Sequence, residues 1–295
     1  MASGEIYLGP YRLLSVLMTG QTSQVWEALH EEKRERFAIK TLLNEFTKDR
    51  EHVGYLRHEY EVGRSLDHRN IIDVYEIGKD KRIGPYIVLE LFPAPNLKAL
   101  VKRDGKSMRW MAPRIVGEAA AGLAHFNAQG WVHRDVKPDN FLADEEGHTR
   151  LIDFALAQRP KKGIAKLFGG RSKIQGTRSY MSPEQIRGQA LDLRADVYSF
   201  GCTIHELLTG KPPFTGTSAN ELLTKHLRAA PPSLIAADNN ITEEFSELIR
   251  SCLSKSPEGR PESMSAFLNA LRTIRVYKRT PDPPVKEGAS QENAG

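Results

Sequence analysis

The sequence predicts an α+β fold in two unequal lobes, a small β-rich lobe followed by a larger helical one. Three observations carry that expectation. Apolar residues alternate with period two early in the chain, as in Val25-Trp26-Glu27-Ala28-Leu29 and Phe37-Ala38-Ile39-Lys40, the repeat of a strand with two unlike faces. Beyond Pro93-Ala94-Pro95 the period becomes helical, with Ile115, Val116, Ala119, Leu123 and Phe126 on one stripe. At 295 residues the chain is long for one core and short for three, which suits a single unit of two lobes.

The expected boundaries are an extension over 1–10, a packed domain over 11–273 divided between 92 and 93, and a disordered tail over 274–295. In the first lobe Tyr86-Ile87-Val88-Leu89 reads as a buried strand, and the charged stretch from Lys48 to Leu66 as the one helix. In the second, Gly130 stands where the first long helix ends. A more apolar helix is expected from Arg194 to Thr209, closed by Gly210 and stopped by Pro212-Pro213, with further helical stretches over Ile241–Leu253 and Glu262–Thr273. From Val276 onward, Pro281, Pro283, Pro284 and mixed charges suggest disorder.

Composition narrows the classes of function. Hydrophobic residues at 40% and charged residues at 27% describe an ordinary globular protein. Cys202 and Cys252 show no CxxC spacing and no second pair, which favours reduced core thiols over a disulfide framework or a zinc site. The N-terminus has no basic flank followed by an apolar run, and no stretch reaches the ~18 apolar residues of a membrane helix. A cytoplasmic protein with no membrane partner is expected. The net charge of +5 invites a nucleic-acid reading, but its distribution opposes one. Seven basic residues and no acidic one lie between Phe154 and Pro183, so the remainder of the chain is slightly acidic and no nucleic-acid partner is expected.

The most informative run is His133-Arg134-Asp135-Val136-Lys137-Pro138-Asp139-Asn140. An acid there can accept a hydroxyl proton, a lysine two positions on can steady a phosphate in transit, and the asparagine can hold a metal ion. Asp153-Phe154-Ala155 follows an apolar stretch and offers a second metal ligand. An isolated Asp-x-Lys is usually a solvated surface pair, but the whole run followed by Asp-Phe is poorly explained by chance. Together the segments resemble the HRDxKPxN catalytic loop and the DFG motif of eukaryotic-type serine/threonine protein kinases, in their bacterial-like form.

That resemblance implies a set of roles. Asp135 would be the base, Lys137 would steady the phosphoryl group, and Asn140 and Asp153 would hold Mg²⁺. Lys40 would reach the phosphates of ATP and pair with Glu59, with Glu61 as the rival partner. Ala38, small and on the same strand face as Lys40, leaves room for adenine. Leu17, Gly20, Val25 and Leu142 would complete the nucleotide cleft, and Leu89 would bound its back. The backbone C=O of Glu90 and N–H of Phe92 would read the base. Asp196 would brace the catalytic loop, and Glu184 of the substrate-binding loop Gly176–Glu184 would pair with Arg260.

Two departures accompany the match. The family's glycine-rich loop aligns with Met18-Thr19-Gly20-Gln21-Thr22-Ser23-Gln24-Val25, where Gly20 alone of the three glycines survives. Glycines let backbone N–H groups approach a phosphate, and Met18 and Ser23 loosen that approach. Ala155 replaces the glycine of DFG. The implied activity is Mg²⁺-dependent transfer of the γ-phosphate of ATP to Ser/Thr hydroxyls of protein substrates, with autophosphorylation in trans. Lys137-Pro138 and Thr177 are the choices that favour seryl or threonyl acceptors. Arg134 before Asp135 implies control by a phosphorylated segment, with Ser172 first and Thr177 or Ser179 behind it. A pseudokinase scaffold, motivated by Met18 and Ala155, is the alternative. A small-molecule phosphotransferase would not need the Ser-Pro-Glu loop.

Overall fold

The computed structural model describes residues 5–104, 108–160 and 176–283. Strands β1 (Tyr7–Leu8), β2 (Tyr11–Thr19), β3 (Ser23–His30), β4 (Arg36–Leu42), β5 (Val74–Asp80) and β6 (Gly84–Glu90) form one antiparallel sheet in the order β1-β2-β3-β4-β6-β5. Pairing decides which side chains share a face. Val25 stands opposite Lys40, and Ala38 stands between Glu27 and Leu89. Val25, Ala38, Lys40 and Leu89 therefore share one face. Trp26, Ile39 and Val88 share the other, where they pack with Leu8, Tyr11, Leu13 and Ala28. Leu8, within the expected extension over 1–10, is fully buried in this outer apolar face and pairs with Tyr11.

Helix α1 (Arg50–Gly63) is shorter at both ends than expected. Asp49 caps it, accepting from the N–H groups of Glu51 and His52 at 2.9 and 3.0 Å. Leu56, Glu59, Val62 and Gly63 form its buried stripe. A methyl group on Gly63 would stand 2.3 Å from Val74 Cγ2, so only glycine lets α1 lie this close to β5.

The larger lobe contains α2 (Leu97–Asp104), α3 (Ala112–Ala128), the hairpin β7 (Phe141–Ala143) and β8 (Thr149–Leu151), α4 (Pro183–Ile186), α5 (Arg194–Thr209), α6 (Ala219–Arg228), α7 (Glu243–Cys252) and α8 (Met264–Leu271). Helix α5 spans the expected residues and ends at Gly210, whose φ of 81° is the left-handed cap that glycine adopts without strain. It is buried all round from Ala195 to Leu208, as expected of a helix at the centre of a lobe. Aromatic pairs radiate from it. Phe200 meets Phe141 and Phe267 at ring-centroid distances of 6.4 and 5.3 Å, and Phe126 stacks on Phe154 at 5.6 Å. Each pair adds about 0.5–1.5 kcal/mol beyond its buried area. Leu56, Val62 and Ile87 of the small lobe belong to the same cluster, so the lobes share a core. Cys202 and Cys252 are buried free thiols, and burial pushes both well above the usual thiol range.

The chain beyond 273 is not a loose tail from its start. Val276 and Tyr277 are buried, Tyr277 bridges Ile241, and the Thr242 N–H donates to Val276 O at 3.1 Å. Asn240 holds Arg279 by two further bonds. Two apolar side chains suffice to dock the segment, and the prolines that signal disorder begin only at Pro281. No helix among the described residues is long and apolar enough to cross a membrane.

Fold stability acquires an acid-side dependence through His226 on α6. Its ring is buried, with Nδ1 2.9 Å from the Tyr198 hydroxyl. Burial, reinforced by the charge of Lys255, lowers its pKa from 6.5 to about 4. The unfolded chain then binds a proton that the folded chain refuses, so stability present above pH 6.5 is lost progressively as the pH falls toward 4. His226→Gln is expected to flatten the fall of the urea-unfolding midpoint across that window. An unaltered slope would assign the dependence to other groups.

Candidate active site

The loop from His133 to Asn140 hangs on Asp196, near the start of α5. Asp196 Oδ2 accepts from the His133 N–H and the Asn127 side-chain amide, both at 2.8 Å, and Oδ1 accepts from the Arg134 N–H at 3.0 Å. The carboxylate is fully buried. Burial pushes it above the usual carboxylate range, and the donors offset part of that shift. These bonds hold Arg134 at a φ of 70°, a left-handed conformation that costs of order 1–3 kcal/mol for a non-glycine residue. The turn is closed from the other side by Gln185, whose amide donates to Arg134 O at 2.9 Å. Gln185 is itself fixed by a capping box with Ser182 at the start of α4.

From this turn Asp135 meets four donors. Its Oδ2 accepts from Lys137 Nζ at 2.5 Å and from the Asn140 amide at 3.3 Å. Its Oδ1 accepts from the Thr177 N–H at 3.0 Å and the Thr177 hydroxyl at 3.1 Å. Lys137 also donates to Thr177 Oγ1 at 3.0 Å. The Asn140 amide nitrogen donates to Asp135 O as well, at 2.8 Å. Its nitrogen end is thus committed, leaving its oxygen end as an acceptor for another partner.

A second cluster faces the first across the cleft. Lys40 Nζ donates to both carboxylate oxygens of Glu59, at 2.7 and 2.8 Å, and lies 3.5 Å from Asp153 Oδ1. Glu59, rather than Glu61, is the partner because it lies on the buried stripe of α1. Burial opposes the charge on Lys40, yet Asp153 and Glu59 hold its ammonium above the ordinary lysine value. Burial pushes Glu59 upward while Lys40 pulls it down, and the two short contacts are those of an ion pair. Asp153 is also drawn upward by burial, but Lys40 and Lys137 more than offset this and hold it below the usual carboxylate range. Its φ is 67°, a region aspartate tolerates because its short side chain bonds locally; here Oδ1 accepts from the Ala155 N–H at 3.4 Å.

The remaining expected residues surround these clusters. Val25 and Ala38 share the sheet face of Lys40, and Met18 stands opposite Val25. Leu17 falls in the irregular register between Val16 and Met18 and is exposed. Gly20 lies in the turn from β2 to β3, its N–H donating to Ser23 O at 2.8 Å. Leu142 follows Asn140 on β7 and bridges Asn96. Glu90 ends β6, and Arg150 of β8 donates to both its carboxylate oxygens at 3.2 Å while lying 4.8 Å over the Phe92 ring. Beside α1, Arg134 borders a cleft of about 440 Å³ with Arg50, Tyr55, His58 and the segment 155–158. The Nε of Arg134 is buried with no partner among the described residues. Ser172 lies outside the described residues.

The sequence reading overlooked Asn127 and Gln185. The Ser-x-x-Gln spacing of a capping box was a readable signal for Gln185. Asn127 gave none, since its importance lies in contacts with distant residues.

The protein kinase domain family matches residues 11–270. The chain is similar to serine/threonine-protein kinase PknA of Mycobacterium tuberculosis, 33% identical over 95% of this chain and 64% of the relative. Serine/threonine-protein kinase PknB of Mycolicibacterium smegmatis is 32% identical over 93% of this chain and 44% of its own length. PknA of Corynebacterium glutamicum is 30% identical over 98% and 61% respectively. The chain thus spans less than two thirds of the length of these curated relatives.

The ion pair beneath the loop offers a test of structure alone. Arg260 donates to Glu184 at 2.7 and 2.9 Å, to Arg194 O at 2.8 Å and to Ser254 O at 2.9 Å, with its guanidinium 4.9 Å over the Tyr198 ring. Removing one partner of a buried pair typically costs about 3–5 kcal/mol. Arg260→Ala should lose stability of that order in urea unfolding, with Arg260→Met/Glu184→Leu recovering part of it. A loss below about 1 kcal/mol would place the pair among interactions of surface strength.

Proposed function

The chain belongs to the protein kinase domain family, and from that premise we propose that it transfers the γ-phosphate of ATP to seryl or threonyl hydroxyls of protein substrates. The observation that carries this reading is a hydroxyl already seated on the base. Thr177 Oγ1 lies 3.1 Å from Asp135 Oδ1 and 3.0 Å from Lys137 Nζ, which is hydrogen-bond reach for proton transfer.

A substrate hydroxyl entering beside Thr177 gives its proton to Asp135 as its oxygen bonds to phosphorus and the bond to ADP breaks. Lys137 offsets negative charge on the moving phosphoryl group. Lys40 holds the phosphates, positioned by Glu59. Asn140 and Asp153 suit a hard divalent ion, since one offers an uncommitted amide oxygen and the other a carboxylate held ionised by its neighbours. Bound Mg²⁺ would neutralise charge between the phosphates. The backbone of Glu90 and Phe92 reads adenine, with Leu17, Gly20, Val25, Ala38 and Leu142 around the nucleotide. Despite the departures at Met18 and Ala155, Lys40, Glu59 and Asp153 form one cluster and Asp135, Lys137 and Asn140 another, and nothing favours a pseudokinase. Free buried thiols suit the reducing cytoplasm.

Regulation belongs to the same proposal. The like charges of the basic segment and of Arg134 call for anions, and autophosphorylation in trans would supply them. Asp135→Asn is expected to lower transfer by about 10²–10⁴-fold while nucleotide binding, followed by fluorescence, stays nearly intact; full activity in that variant would refute the mechanism. Mass spectrometry after incubation with Mg²⁺ and ATP should find phosphate on Ser172 ahead of Thr177 or Ser179, with activity falling on phosphatase treatment. An unmodified segment with full activity would leave the cations as a steering surface for acidic substrates.

A further inference from the structure

Glu206 of α5 is a buried acid with no part in the chemistry above. Its side chain is 2% exposed, whereas Lys98 of α2, which donates to its Oε1, is 28% exposed. The cation therefore stands on the solvent side of the acid. The Tyr180 hydroxyl donates to Glu206 Oε2 at 2.5 Å and accepts from Lys98 Nζ at 3.3 Å. Asp139 adds a second carboxylate nearby: its charge, after burial and Glu206, helps push the Tyr180 phenol above its usual range. The cluster thus sets a buried acid and its cation beside the substrate-binding loop.

Its place in that loop gives the cluster a function. Tyr180 follows Thr177 by three residues, a separation of at most about 10 Å along the chain, and Thr177 touches the base. An acceptor segment laid along the loop with its hydroxyl at Asp135 reaches the Lys98 ammonium with a neighbouring side chain. Without Lys98, Glu206 would be a buried acid beside that path with the Tyr180 hydroxyl as donor but no cation, the arrangement that draws a basic side chain in.

We infer that Lys98 determines substrate specificity by occupying, as a built-in cation, an acidic pocket that would otherwise hold a basic residue of the acceptor. The enzyme consequently selects acceptor segments that are neutral or acidic at that position. An incoming guanidinium gains nothing from an acid already paired and meets a like charge at the mouth, so discrimination comes from the repulsive element. The inference rests on the phosphotransfer reading of the site.

The test uses the intact chain and peptides with one serine in neutral surroundings, compared with the same peptides carrying a single arginine moved through each flanking position. For the wild type, no arginine position should raise kcat/KM. Lys98→Met should gain about tenfold in kcat/KM at one arginine position, through KM, because a desolvated charge pair has become available. Lys98→Arg should keep the wild-type profile, and Lys98→Met/Glu206→Gln should lose the gain, neither of which a purely structural tie between α2 and α5 would produce. A wild type that already favours arginine tenfold at one position overturns the inference without any variant, and so does a Lys98→Met profile parallel to the wild type. Absence of transfer to every peptide by the wild type instead overturns the phosphotransfer reading, and this inference with it.

Discussion

The buried carboxylate of Asp196 is the constraint from which the rest of the cleft takes its geometry. Burying a carboxylate costs several kcal/mol, and hydrogen bonds to a charged group contribute about 1.5–3 kcal/mol each. Its three donors, the N–H groups of His133 and Arg134 and the Asn127 amide, are therefore of the size needed to offset the burial. Two of them are main-chain groups. The energy that keeps Asp196 in the core is thus the same energy that sets the backbone from which Asp135 projects. The left-handed turn at Arg134 persists because Asp196 below and Gln185 beyond both bind it.

Charge in the cleft alternates, and the alternation joins parts of the chain that the fold brings from far apart. Glu59, Lys40 and Asp153 come from α1, β4 and the segment after β8, while Lys137, Asp135 and Thr177 come from the loop and the substrate segment. Each acid in these two sets has a cation or a donor within reach. The apolar core also crosses between the lobes, since Leu56 and Val62 of α1 pack in one cluster with Phe126 and Phe154. A change in lobe spacing would disturb packing and ion pairing at once.

Local pattern made the framework legible. Alternation gave the strands that carry Val25, Ala38 and Lys40, and Gly210 with the following prolines marked the end of α5. The chemistry-bearing residues were readable because they cluster within the short runs 133–140 and 153–155. What stayed hidden depends on partners distant in sequence. Strand β1 is too short to show alternation and forms because the outer sheet face needs cover. The docking of Val276 and Tyr277 was masked by the proline-rich residues after them. Helix α6 was overlooked in polar surroundings, although Ser218 and Glu221 have the spacing of an N-terminal cap. The Lys98–Glu206–Tyr180 cluster joins three elements, and none of the three residues stands out where it occurs.

The contact of Gly63 with Val74 gives α1 the mechanics of a lever. With no side chain as spacer, the helix is seated directly on β5 at its C-terminal end, and that seat serves as a fulcrum. At 1.5 Å rise per residue, Glu59 lies about 6 Å along the axis from this point and Arg50 about 20 Å. A tilt therefore moves the Arg50 end roughly three times as far as the carboxylate that holds Lys40. Events in the cleft between Arg50 and Arg134 act on the long arm, and the ion pair at Lys40 sits on the short one, where a broad swing becomes a fine adjustment.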